Sequence, residues 1–137
     1  MKDQKILSLV NLLYIDLARL YKPVVHLNSE NYLLKLRLFE DLVEKHFKEI
    51  KFPSVYAGMM NITERHLNRI CKTCLDKTSS DLIFDRTILE AKRLLMRNGI
   101  SISEVAEQLG YLDNSYFSRL FKKRTGSTPK KFMNHYQ

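Results

Sequence analysis

The chain has little of what β architectures, disulfide scaffolds and membrane spans require. Its 137 residues include only four glycines and three prolines, and β-branched runs are scarce, so a turn-rich sheet protein is excluded. Two cysteines are too few for a disulfide framework. They stand as Cys71-x-x-Cys74 inside a helical pattern, with His66 the only neighbour of ligand chemistry, and that order matches no common zinc spacing. Buried or half-buried thiols are expected there, not a metal or redox pair. There is no Gly-rich phosphate loop, and His26, His46, His66 and His135 are too scattered for a Ser/His/Asp or Cys/His constellation. Neither an enzyme nor a cofactor is expected.

Long hydrophobic runs are missing too. The stretch from Met1 to Ile15 imitates a signal peptide, with Lys2 and Lys5 ahead of an apolar segment. Ser8 and Asn11 interrupt it, Asp16 and Arg19 follow it, and it lacks a small-x-small cleavage site. It is too short and too polar to span a bilayer. A cytoplasmic protein with no membrane partner is expected.

Acidic residues are the last shortage: 15 against 23 lysines and arginines, a formal charge of +8. Residues 1–38 carry +3, 39–61 carry −1, 62–85 are neutral, and 86–137 carry +6. An excess gathered at the C-terminal end points to a polyanionic partner.

What is present is helical periodicity. Ile6, Val10, Leu13, Leu17 and Leu20 form one apolar stripe that must pack on its own domain, a twin or a further domain. A homodimer through Ile6–Leu20 is one expectation. Pro23 and the segment to Ser29 are read as a break, followed by a helix at about Glu30–Lys51 with Leu36, Phe39, Val43, Phe47 and Ile50 on one face, closed by Pro53. Shorter helices come next. Ser54 is expected to cap one running to Met60, with Asn61 turning in the left-handed region. Thr63 caps another, to about Leu75. A longer helix is predicted over about Ser80–Arg97, with Phe84, Ile88, Ala91 and Leu95 inward and Asn98-Gly99 ending it. Ser101 and Glu104 read as a capping box for a helix stopping at Gly110. Asp113 or Asn114 caps the next, to about Arg124, and Thr128-Pro129 opens the last. The predicted fold is all-α, a helical segment over residues 1–38 ahead of a domain over 39–137.

Two segments repeat. Ala57-Gly58-Met59-Met60-Asn61 aligns with Ala106-Glu107-Gln108-Leu109-Gly110 at an offset of 49, and Leu67-Asn68-Arg69-Ile70-Cys71-Lys72 with Phe117-Ser118-Arg119-Leu120-Phe121-Lys122 at 50. Each reads as a short helix with a small Ala, a turn at Asn or Gly, and a helix exposing Arg and Lys. That is the recipe for a helix-turn-helix, at about 54–75 and 102–124, whose second helix fits a major groove. Arg65, Asn68, Arg69 and Lys72 share one face of the first such helix, and Asn114, Ser115, Ser118, Arg119 and Lys122 one face of the second. Arg and Asn suit bidentate base contacts; lysines more often hold phosphate. The long connecting helix spans about 25 Å at about 1.5 Å per residue, which brings one DNA turn of about 34 Å within reach.

The same residues resemble a known family. From about Phe39 to Tyr136 the chain is similar to the DNA-binding domain of AraC/XylS-type bacterial transcription regulators. The matching stretches are Ile62-Thr63 with Leu67-Asn68-Arg69 and Lys72; Arg86 with Glu90-Ala91-Lys92-Arg93-Leu94-Leu95; and Ile102-Ser103-Glu104-Val105-Ala106 with Leu109-Gly110-Tyr111. Most specific are Ser115-Tyr116-Phe117-Ser118-Arg119, Phe121-Lys122-Lys123, Gly126 and Thr128-Pro129. The resemblance implies seven helices with two helix-turn-helix units joined by a long helix, bound to double-stranded promoter DNA. It implies base contacts from Arg65, Asn68, Arg69, Asn114, Ser115 and Arg119, with Lys72, Ser118, Lys122 and Lys123 left for phosphates. Members are mostly activators that contact RNA polymerase, though repressors occur. Asp76 stands where Gly is usual, and Met133 where Arg is common. Family sensors are often cupin-like barrels, and none fits before residue 39. The expectation is a C-terminal piece of a longer regulator or a short member without a small-molecule pocket. Two rivals remain: a helical interaction module working through Ile6–Leu20 and Glu30–Lys51, and a non-specific nucleic-acid binder driven by charge.

Overall fold

The computed structural model describes residue 11 and residues 26–136, with backbone alone for 26–29. The Ile6–Leu20 stripe therefore lies outside the described residues. Over residues 26–136 there are seven helices and no strand: α1 His26–His46, α2 Pro53–Met59, α3 Glu64–Leu75, α4 Ser79–Leu95, α5 Ile102–Gln108, α6 Asn114–Thr125 and α7 Pro129–Tyr136.

α1 departs from expectation at both ends. It is already helical at His26, inside the segment read as a break, and it ends at His46 instead of Lys51. Pro53 does not close it. It opens α2, where a residue without an N–H and with φ already fixed loses nothing. Extended Phe52 (φ −97°, ψ 124°) takes the N-cap place without a side-chain bond, so Ser54 lies inside the helix and caps nothing. α1 runs unbroken through residues 38 and 39, and Leu36, Phe39, Val43 and Phe47 all enter the core.

The remaining starts follow their caps. Thr63 Oγ1 accepts from the His66 N–H at 3.0 Å. α4 begins at Ser79, one residue earlier than expected, because Thr78 caps it. Thr78 Oγ1 accepts the Asp81 N–H while Asp81 Oδ2 accepts the Thr78 N–H, each at 3.1 Å, a full capping box. In α5 the Ser101 hydroxyl accepts the Glu104 N–H at 3.1 Å. Asp113 accepts from Ser115 and Tyr116 N–H, and Thr128 from the Lys131 N–H.

α4 is the spine. Its buried Ile83, Ile88, Ala91, Leu94 and Leu95 serve α1, α2 and α3 on one side and α5 and α7 on the other. Phe84, expected inward, is half-buried instead, covered by the Arg124 guanidinium 5.1 Å from its ring. Glu90 is also buried, which is tolerable only because it is paired. Arg93 donates to it at 2.5 Å, and Arg86 lies 3.6 Å away. Arg86 also reaches Glu44 on α1 at 2.6 and 3.0 Å and stacks over Phe47 at 4.3 Å, riveting α1 to the spine.

Candidate nucleic-acid interface

The sequence repeat is a repeat of backbone geometry. Asn61 and Gly110 both turn with positive φ, +57° and +83°. The following N–H returns to the small residue of the first helix in each case: Ile62 to the Ala57 carbonyl at 3.0 Å, Tyr111 to Ala106 at 2.9 Å. Ala57 and Ala106 are buried where the two helices cross. The second helices also end alike. Asp76 (φ +55°) and Gly126 (φ +87°) are left-handed C-caps whose N–H groups donate to the Lys72 and Lys122 carbonyls. Thr78 and Thr128 then cap the next helices at the same offset of 50, so the likeness runs past the residues that first revealed it.

These frames fix which side chains face water. On α3, Leu67, Ile70 and Cys71 are buried, which leaves Arg65, Arg69 and Lys72 exposed. On α6, Phe117 and Phe121 are buried and Leu120 half-buried, while Asn114, Ser115, Arg119, Lys122 and Lys123 are exposed and Ser118 is half-buried. Arg69 matches Arg119, and Lys72 matches Lys122, at the offset of 50.

Ion pairing divides the cations into two groups. Lys77 pairs with Asp85, Arg86 with Glu44 and Glu90, Arg93 with Glu90, and Arg124 with Asp81. Among the described residues, Arg65, Arg69, Lys72, Arg119, Lys122 and Lys123 form no salt bridge. These six side chains of α3 and α6 thus face water without a neutralising partner among the described residues, where they attract a polyanion, while Arg124 of α6 is held by Asp81.

Asn68 is a different case. It is half-buried, and its Oδ1 accepts from both the N–H and the Oγ–H of Ser79, at 2.9 and 2.6 Å. Reading adenine bidentately needs the amide oxygen and nitrogen together, and the oxygen is committed. Asn68 therefore ties the recognition helix α3 to the first turn of α4. At the offset of 50 its counterpart is Ser118, and Pro129, which has no N–H to donate, stands in the place of Ser79.

Sequence reasoning missed three other participants. Thr78-x-x-Asp81 is a capping box plain in the sequence but passed over. Lys35 Nζ lies 3.2 Å from His66 Nε2, and Tyr32 meets the same ring edge-on, joining α1 to α3. Burial, with Lys35 and Arg69 near, holds the His66 imidazole below its ordinary value, which favours its neutral form. Tyr56 is fully buried, donates to the Ile50 carbonyl at 2.8 Å and packs edge-on to Phe39. Cys71 and Cys74 are free thiols, and burial pushes Cys71 up to about 12.

The helix-turn-helix domain family matches residues 56–135, from within α2 into α7. The chain belongs to the AraC-type helix-turn-helix family.

Relatives within the AraC-type family give the scale of the likeness. The HTH-type transcriptional activator CsvR of Escherichia coli is 26% identical over 110 residues, 77% of this chain and 41% of CsvR. The chain spans less than two thirds of the length of the curated relatives it matches, and 51% and 41% of two of them. Among solved structures, the C-terminal domain of the two-component response regulator yesN from Fusobacterium nucleatum superposes with a TM-score of 0.67 at 26% identity, over 72% of this chain and 97% of that one. An AraC-type regulator from Chromobacterium violaceum shares the fold at 20% identity, with a TM-score of 0.68, over 78% and 96%. Among the described residues no helix is long and apolar enough to cross a membrane.

Proposed function

We propose that this chain is a sequence-specific DNA-binding transcription regulator that sets α3 and α6 into two successive major grooves. The observation that carries this reading is the pairing of two recognition helices of one construction, with the matching Arg69 and Arg119, and Lys72 and Lys122, exposed and in no salt bridge among the described residues. Arg65 and Arg69 from α3, and Asn114, Ser115 and Arg119 from α6, are the base readers. Lys72, Ser118, Lys122 and Lys123 hold phosphates. Asn68 supports α3 rather than touching a base.

The 17-residue α4 between them spans about 25 Å at about 1.5 Å per residue. With the helix widths added, the reading heads reach grooves one turn apart, about 34 Å, and a rigid spacer of this length bends the duplex modestly. Circular-permutation gel shifts test the bend; equal mobility wherever the site lies in the fragment contradicts it.

CsvR is a transcriptional activator by name, and we assign this chain the same direction, with RNA polymerase as its protein partner. Self-association through Ile6–Leu20 completes the proposal. Sedimentation of the chain with and without residues 1–25 tests it, and two monomers contradict it. Catalysis has no part in this function.

The deciding experiment is selection of bound duplexes from a random library. Enriched sequences are expected to hold two preferred blocks about one helical turn apart. Binding without enrichment of any sequence overturns the reading in favour of a charge-driven binder.

A further inference from the structure

The two helix pairs flank α4 and each packs on it, with Arg124 of α6 also held by Asp81 of α4. A further contact joins the second pair directly to the chain that leads into the first. It lies between residues 47–51, which join α1 to α2, and residues 109–111, the turn of the second helix pair. Lys51 Nζ donates to the Phe47 carbonyl at 2.6 Å and to the Leu109 carbonyl at 2.5 Å. The same ammonium sits 4.5 Å from the centre of the Tyr111 ring, and Tyr111 is buried. Phe47 follows the last residue of α1, and Leu109 is the C-cap of α5. One ammonium thus serves two carbonyls of the kind that a helix's last turn leaves without a donor, at the negative end of each dipole.

Gly110 makes the same contact from the other side. A Cβ there would overlap the Lys48 carbonyl, so the turn is seated directly on the 47–51 backbone. Its φ of +83° already calls for glycine. The turn residue of the second reading unit is therefore shaped to fit the first.

We propose that Lys51 is a positioning residue that pins the second helix-turn-helix unit to the first and so sets the spacing between α3 and α6. The inference rests on the DNA-reading function proposed above. Burial lowers the ammonium's pKa to about 8, so it stays mainly charged at neutral pH. A surface lysine loses hydration only where hydrogen bonds replace it, and here three groups from two units do so. Lys51 touches no DNA in this account. It acts through the geometry of Arg65, Arg69, Ser115 and Arg119.

The test uses the whole chain and the duplex enriched by the wild-type protein. Inserting one base pair between its two blocks moves one block by about 3.4 Å and turns it by about 34°. The wild type is expected to lose about tenfold in affinity on that insertion, because a rigid pair of heads misses one groove. Lys51→Met is expected to bind both spacings within about twofold of each other, while its affinity for a duplex carrying one block stays within about twofold of wild type. Lys51→Arg, which keeps charge and donors, restores the preference. A Lys51→Met chain that keeps the full wild-type spacing preference overturns the proposal. Should circular dichroism find that chain unfolded, Lys51→Gln is read the same way, its amide serving one carbonyl of the two. Failure of the wild type to enrich any duplex counts against DNA reading itself, and is separate from either outcome.

Discussion

The Arg124 guanidinium, near the end of α6, lies 2.9 Å from Asp81 Oδ1 in the first turn of α4. The second recognition helix is thereby fastened to the N-terminus of the spine, next to the residues that follow the first. Asp81 does two jobs, since its other oxygen completes the Thr78 capping box. The backbone N–H of Thr78 foremost, with the Arg124 guanidinium and the Thr78 hydroxyl, holds its carboxyl down at about 2. A depressed folded value stabilises above the unfolded one of about 3.9, and that stability is lost as pH falls from there towards about 2. Asp81→Ala is expected to cost about 1 kcal/mol as a lost cap and to flatten the acid limb of the stability curve over that window. Thermal melts from neutral pH downwards measure both. An acid limb unchanged from wild type contradicts the assignment.

The two turns and two C-caps separate backbone strain from steric fit. Asp76 adopts φ +55° where its counterpart Gly126 adopts +87°. A left-handed non-glycine residue is strained by about 1 kcal/mol, so Asp76→Gly is expected to stabilise the chain by up to that amount. Gly126→Ala meets open space and pays only the conformational cost, whereas Gly110→Ala also meets the Lys48 carbonyl. Denaturant unfolding should rank Gly110→Ala well below Gly126→Ala. Equal losses would mean that the turn does not rest on residues 47–51.

Asn68→Ala tests whether that side chain supports or reads. Ser79 is almost wholly buried, and the substitution strips the acceptor from its N–H and hydroxyl. A loss of about 1–3 kcal/mol in folding stability is expected, with the base preference of the bound duplex unchanged. A relaxed preference at one position with stability intact would restore Asn68 to the readers.

Lys72 and Lys122 occupy matching places, exposed in the last turn of their helices. Replacing either with Ala should weaken binding evenly across sequences and lower the slope of log affinity against log salt by about 1. Isothermal binding curves at several salt concentrations give that slope, and sequence-dependent losses would move these lysines among the readers.

The solvent faces of α3 and α6 were legible because a helix shows its inside by period: Leu67, Ile70, Phe117 and Phe121 alternate with Arg69, Lys72, Arg119 and Lys122 at three- and four-residue steps. Caps were legible for the same local reason, with Thr63, Ser101 and Thr128 each bonding within their own first turn. Pro53 misled, because proline both ends one helix and begins another, and only the chain reversal at residues 47–52 decides which. The amide of Asn68, the guanidinium of Arg124 and the ammonium of Lys51 were opaque. Their partners lie 11, 43 and 58 residues away, and no period in the chain brings such pairs together. An exposed-looking polar residue reads alike whether water, DNA or a distant carbonyl takes its hydrogen bond.

Guanine-N7 methylation interference on the selected duplex, with wild type, Arg69→Ala and Arg119→Ala, tests the two-headed account most directly. The wild type should show two blocks of interference about 10 base pairs apart on one face. Arg69→Ala should erase signal in one block and Arg119→Ala in the other, each losing about 1–3 kcal/mol at this duplex and little elsewhere. A single block, or two substitutions that weaken every duplex alike, would contradict it.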